Sequence, residues 1–194
     1  MTRTGILLTT SAATVGIALT AFIDLPIKLI WNSSASVPIG LYAITTADHF
    51  SIGDRVAIDP PEPLANFLAE RGYLPRGVPL LKTIAAVPGQ RFCRIGSKII
   101  IDGKAVGETR DCDRLGRGLP VWQGCRRISE GEFFLMNASV PDSFDGRYFG
   151  PTPATAVIGK ALPLWTDAQS KPSAEQRTAN DPATSITPTK EYIP

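Results

Sequence analysis

The chain has 194 residues, 43% of them hydrophobic, enough apolar material for one ordinary domain with appendages. Its 20 Lys and Arg against 18 Asp and Glu give a net charge of +2; the basic residues are scattered rather than run together, which argues against nucleic acid as a partner. Cys93, Cys112 and Cys125 lack C-x-x-C spacing and His49 is the single histidine, so no metal site is expected. An oxidising compartment would close one cysteine pair and leave one thiol over, and the spacing does not choose the pair; the alternative is three buried, inert thiols. The 17 Gly and 17 Pro lie between short apolar runs along the whole chain, a pattern of short strands and turns that predicts a mainly β body.

In chain order, the first element is an uncharged stretch from Gly5 to Ile23, flanked by Arg3 and Asp24. Its length is close to the ~20 residues of a spanning helix, while its Thr and Ser content makes it a weak span, so that a cleavable secretory signal competes. Arg3 ahead of it predicts a cytoplasmic N-terminus and an exported body in either case. Asn32 to Tyr42, N-S-S-A-S-V-P-I-G-L-Y, reads as a tight turn entering a strand. A turn at Gly53-Asp54 leads to a strand over Arg55 to Ile58. Pro60, Pro61 and Pro63 exclude element interior, and Leu64, Phe67 and Leu68 then recur at helical spacing, predicting a short helical insertion that ends near Gly72. Pro79 to Val87 is apolar on both sides of Lys82. Ile99 to Ile101, Asp102-Gly103 and Lys104 to Val106 form a hairpin pattern, and further strands are expected at Glu132 to Met136 and Ala156 to Leu162. From Asp167 onward almost nothing can be buried, and disorder is expected.

Two side chains carry candidate chemistry. Ser36 sits on a rigid, proline-punctuated turn just after the apolar segment, although a Ser-rich turn also serves purely structural ends. Lys82, between Leu81 and Thr83, either points to solvent or is buried with its charge removed. Making a free lysine neutral at pH 7 costs roughly 4–5 kcal/mol, a shift that desolvation can supply. A neutral amine can then take a proton from a serine hydroxyl. His49 lies in a polar turn, Asp48-His49-Phe50, away from any candidate nucleophile, so a Ser-His-Asp triad is not expected. The S-x-x-K pattern is absent as well.

Three segments together resemble the signal peptidase I superfamily, peptidase family S26, and most closely its conjugative-transfer, TraF-type branch. The nucleophile box S-x-P-x-G-L-Y appears as Ser36 to Tyr42, the general-base box K-x-x-x-x-x-P-G as Lys82 to Gly89, and S-x-D-x-R-Y-x-G as Ser143 to Gly150. The resemblance implies a mainly β, signal peptidase/LexA-like β-ribbon barrel with a short helical insertion and an N-terminal membrane helix. The implied division is an anchor or uncleaved signal over 1–30, a catalytic domain over 31–166 and a tail over 167–194. It further implies no cofactor, a nucleophilic Ser36, Lys82 as its general base, and Ser143 orienting the lysine amine. The Ser34 hydroxyl and the Ser36 backbone N–H would form the oxyanion hole, and Asp145 and Arg147 a supporting ion pair. The same resemblance pairs Cys93 with Cys125 and leaves Cys112 free.

Two departures stand out. Met136-Asn137-Ala138 replaces the G-D-N that usually precedes the third box in leader peptidases, and Gln90 stands where an acid often follows Pro88-Gly89. The first argues against a housekeeping leader peptidase. The expected activity is serine endopeptidase cleavage of a membrane-delivered, propilin-like precursor at the periplasmic face of the cytoplasmic membrane, beside a conjugative secretion apparatus. A general type I leader peptidase and a non-catalytic, membrane-tethered scaffold are the rival readings, and hydrolysis and peptide ligation both stay open.

Overall fold

Short, mostly apolar runs punctuated by glycine and proline fold into strands of two to ten residues. The computed structural model describes residues 2–20 and 29–167. The first helix, α1, spans Arg3–Thr20, and the strands are β1 (Leu29–Asn32), β2 (Gly40–Thr45), β3 (Arg55–Ile58), β4 (Leu80–Ala86), β5 (Arg91–Ile95), β6 (Lys98–Ile101), β7 (Lys104–Glu108), β8 (Gly124–Arg127), β9 (Glu132–Leu135), β10 (Thr152–Pro153) and β11 (Val157–Thr166). Helix α2 (Glu62–Glu70) lies between β3 and β4, and the single turn α3 (Gly146–Phe149) follows β9.

One sheet has the order β1-β2-β11-β3-β4-β9-β10 and the other β7-β6-β5-β8, with antiparallel pairing throughout. The body is therefore mainly β, as the turn pattern predicts. Strand β4 holds it together. Its Leu81 packs with Val37, Tyr42 and Ala161, its Ile84 with Val56, Ile58 and Leu135, and its Ala86 with Phe92, Ile99 and Phe134. Successive side chains of a strand point to opposite faces, and burial of both Leu81 and Lys82 shows that β4 is covered on both sides here.

The strand expected over Ala156 to Leu162 instead runs Val157–Thr166, after a 3₁₀ turn at Ala154–Ala156. Pro163 has no N–H for the ladder, but the register with β2 shifts between Pro163 and Trp165, and this irregularity carries the strand past the proline. Beyond it, Thr166 pairs with Gly40. Gly40 has φ +152°, and a Cβ there would stand 2.1 Å from the Trp165 carbonyl oxygen, so glycine is required where the Ser36 turn enters β2. Trp31 and Trp165 stack at 5.8 Å on the outer surface of β1 and β11, 58% and 52% exposed.

Helix α2 starts with Pro63 in its first turn, where a missing N–H is harmless. It ends at Glu70, just before Gly72, and packs on the body through Phe67, which stacks on Phe144 at 5.2 Å. The expected span over Gly5 to Ile23 is helical through Thr20, and the rest lies outside the described residues. No helix among the described residues is long and apolar enough to cross a membrane. The physical reason is the Thr and Ser content of α1: the hydroxyls dilute its hydropathy. Thr9, Thr10 and Thr14 donate back to the carbonyls of Gly5, Ile6 and Thr10 within the helix. The tail expected to be disordered, 168–194, is also outside the described residues.

Candidate active site

The turn between β1 and β2 carries Ser34 and Ser36, and its shape follows from the short polar side chains and Pro38 within it. The two hydroxyls lie 2.9 Å apart. Tyr42, fully buried at the start of β2, donates to the Pro38 carbonyl at 2.6 Å and pins the turn to the sheet. The turn forms one wall of an open cleft of about 710 Å³; Thr83 to Ala85 of β4 and Met136 to Val140 form the facing walls.

Lys82 is 2% exposed, and its Nζ donates to Ser143 Oγ at 2.9 Å. Burial pushes its pKa down from 10.5 to about 8; Asp145 pulls it upward and Arg147 adds a smaller downward push. The amine therefore carries a substantial neutral fraction near pH 8, whereas an exposed lysine carries almost none.

Ser143 is held by the segment around it. Asp145 and Arg147 form a fully buried, two-point ion pair, with Nε to Oδ1 at 2.8 Å and Nη2 to Oδ2 at 2.9 Å. Arg147 Nη2 also donates to the carbonyls of Ser143 and Val140. The spare Asp145 oxygen capacity is taken by the backbone N–H of Asn137 and of Arg147, so both charges are satisfied without solvent. Gly146 is needed within this knot, because a Cβ would come 2.7 Å from the Leu135 carbonyl oxygen.

The structure thus brings together Ser34 with Ser36, Lys82 with Ser143, and Asp145 with Arg147. Ser36 and the β4 segment next to Lys82 line one cleft, but no hydrogen bond joins Ser36 to Lys82. Cys93 and Cys125 are joined by a disulfide across β5 and β8, in the other sheet, and Cys112 is free and exposed. His49 is exposed. Among the described residues no group of His, Cys, Asp or Glu could hold a metal ion.

Two residues of the site escape a reading of the sequence. Asn137 accepts from Thr83 N–H at 3.0 Å and donates to the Leu81 carbonyl at 3.4 Å, clamping β4 on both sides of Lys82. It occupies the middle of Met136-Asn137-Ala138, which the sequence marks only as a departure from a family pattern. Asn32 lies 8% exposed inside the Ser36 turn. An Asn two residues ahead of a Ser in a turn is the one local signal that points to it.

The family described as signal peptidase, peptidase S26, matches residues 1–165. A probable conjugal transfer protein TraF from Sinorhizobium fredii is 35% identical over 145 residues, covering 71% of this chain and 77% of that protein. A conjugal transfer protein TraF from Agrobacterium tumefaciens is 34% identical over 143 residues, covering 70% of this chain and 81% of that protein. A crystal structure of signal peptidase I from Enterococcus faecalis aligns over 59% of this chain and 98% of that one, at 18% identity and a TM-score of 0.36. On the extent of the family match and the identity to these conjugal transfer proteins, the chain belongs to the signal peptidase S26 family, as a relative of the TraF proteins.

Proposed function

We propose that this chain is a serine endopeptidase in which Ser36 is the nucleophile and Lys82 its general base, and that it removes a leader or terminal segment from a membrane-delivered precursor, a pilin-type subunit of a conjugative system. The observation that carries the proposal is the buried Lys82 amine, depressed to about 8 and held by Ser143 beside the cleft that contains Ser36. A solvent-free lysine at this position has no structural use that an apolar residue would not serve better. Ser143 fixes one N–H and leaves the amine lone pair for a proton. In the reaction the Ser36 hydroxyl exchanges Ser34 for Lys82, since hydrogen bonds of this kind tighten only with substrate present. Ser36 Oγ then gives its proton to Lys82 Nζ and adds to the scissile carbonyl carbon. The Ser36 N–H and the Ser34 hydroxyl stabilise the resulting oxyanion. The C–N bond breaks, the leaving amine takes the proton from Lys82, and Ser36 is left as an ester that water or an incoming amine resolves.

The test is processing of a conjugative pilin precursor followed by mass spectrometry. Ser36→Ala and Lys82→Ala are expected to be folded and inactive. Wild-type activity is expected to rise about tenfold per pH unit toward a midpoint near about 8 and then level off, because the base works as the neutral amine. Cleavage by folded Lys82→Ala would assign the base to another group. Full processing by both variants would favour the scaffold.

The same proposal places the chain on the periplasmic face of the cytoplasmic membrane with α1 as part of its anchor. Supporting it are the absence of charge between Thr4 and Thr20, the hydroxyls of α1 that satisfy themselves internally, and the exposed Trp31–Trp165 stack on β1 and β11. Tryptophan favours the interfacial layer of a bilayer. The full chain is expected in the membrane fraction after carbonate extraction; a soluble mature form that begins after Ala18 or Ala21 would sink the anchor.

A further inference from the structure

The turn that carries Ser36 is built around one carboxamide. Asn32 ends β1 opposite Gly40 of β2, and the chain between them folds back over its side chain. Asn32 Nδ2 donates to the carbonyls of Ser34 at 2.8 Å, Val37 at 3.1 Å and Pro38 at 3.1 Å. Asn32 Oδ1 accepts from the Ser34 backbone N–H at 3.2 Å and from Ser34 Oγ at 3.1 Å. Three carbonyls around one end and an N–H at the other fix which end of the amide is nitrogen.

That assignment has a directional consequence. Oδ1 can only accept, so the single Ser34 hydroxyl proton points at Asn32. The 2.9 Å contact between the two hydroxyls then has one polarity, with Ser36 donating and Ser34 accepting. The Ser36 proton is thereby held against Ser34, and its oxygen lone pairs are left for the cleft.

We infer that Asn32 is a positioning residue for the nucleophile: it sets the shape of the Ser36 turn and, through Ser34, the direction of the Ser36 hydroxyl. The inference rests on Ser36 being the nucleophile, and the experiment separates the two ideas. Purified full-length Asn32→Ala, Asn32→Asp, Ser34→Ala and Asn32→Ala/Ser34→Ala would be assayed for kcat and KM on a pilin precursor, beside Ser36→Ala and a thermal unfolding scan.

Folded Asn32→Ala is expected to lose roughly 30- to 100-fold in kcat, the scale of a small misplacement of a reacting atom, with KM changed by less than about threefold. Its pH midpoint is expected to stay near about 8, because the surroundings of Lys82 are untouched. The double variant is expected to fall no more than about threefold below the worse single one, since both act through one network. Asn32→Asp keeps the volume and the Ser34 contacts but has no N–H for the three carbonyls, and is expected to lose at least about tenfold in kcat. A folded Asn32 variant within about threefold of wild type in kcat, or losses that multiply in the double variant, would overturn the inference. If neither single Asn32 variant folds, the role is structural and the inference is equally overturned. Processing by Ser36→Ala would instead remove the nucleophile assignment on which it rests.

Discussion

Replacing Lys82 with methionine is expected to abolish processing and, in the same molecule, to make the fold about 2–3 kcal/mol more stable at pH 7. The amine is 2% exposed and its pKa stands at about 8 against an ordinary 10.5. At 1.36 kcal/mol per pH unit this corresponds to about 3 kcal/mol of penalty for keeping the buried ammonium charged. Methionine fills a similar volume without the charge, while Ser143 Oγ loses its donor, which returns about 1 kcal/mol. The sign with pH follows from proton counts. Below about 8 both the folded and the unfolded wild-type chain hold the lysine proton, and the penalty is present in full. Between about 8 and 10.5 the folded chain has released the proton and the unfolded chain still holds it, so wild-type stability rises with pH. The advantage of Lys82→Met should therefore be constant below pH 7 and vanish toward pH 10.5. Urea unfolding of both chains at several pH values reads this directly. A variant less stable than wild type at pH 7, with no dependence on pH, would mean that Lys82 is not held against its charge.

The second large effect is expected from a nominally conservative change. Arg147→Lys keeps the positive charge but replaces a planar fork by a single ammonium. The fork is used in full: two bonds to Asp145 and further bonds to the carbonyls of Glu108, Val140 and Ser143. With Asp145 0% and Arg147 1% exposed, no water replaces what is lost, and a destabilisation of about 2–4 kcal/mol is expected. Because the Ser143 carbonyl is released, kcat is expected to fall as well, while the charge near Lys82 and hence the pH midpoint are retained. Urea unfolding and a pH–rate profile on the same preparation check both halves. Unchanged stability would show the pair to be dispensable.

What the sequence reveals of this fold depends on whether the information is local. The hairpin of β6 and β7 is legible because Asp102-Gly103 is a turn signal between two apolar runs, whereas the run around Lys82 leaves open whether the lysine faces solvent or is buried. Strand β8 is not. Gly-Cys-Arg-Arg has no alternation, all four residues are exposed, and the segment is a strand because β5 and a disulfide hold it there. Strand β1 is hidden for another reason: Leu29–Asn32 is only four residues long and falls between Lys28 and the Ser-rich turn. Pro163 marks an end to β11 that a shift of register overrides. In the site, Ser36 and Lys82 stand out by residue type and setting, and Ser143 only through the resemblance to the family's third box. Asn137 does not, since its worth lies in contacts with Thr83 and Leu81, more than fifty residues away, and no periodic pattern announces a lone asparagine.

The disulfide between Cys93 and Cys125 crosses two strands of the sheet that does not carry Ser36 or Lys82. Closing a loop across 32 residues removes about 3–4 kcal/mol of freedom from the unfolded chain, so the bond adds stability without touching a reacting group. Such a bond persists in an oxidising compartment and is reduced in the cytosol. The bond therefore records the redox state of the compartment in which each molecule matured, in a part of the protein where reducing it leaves the candidate chemistry in place.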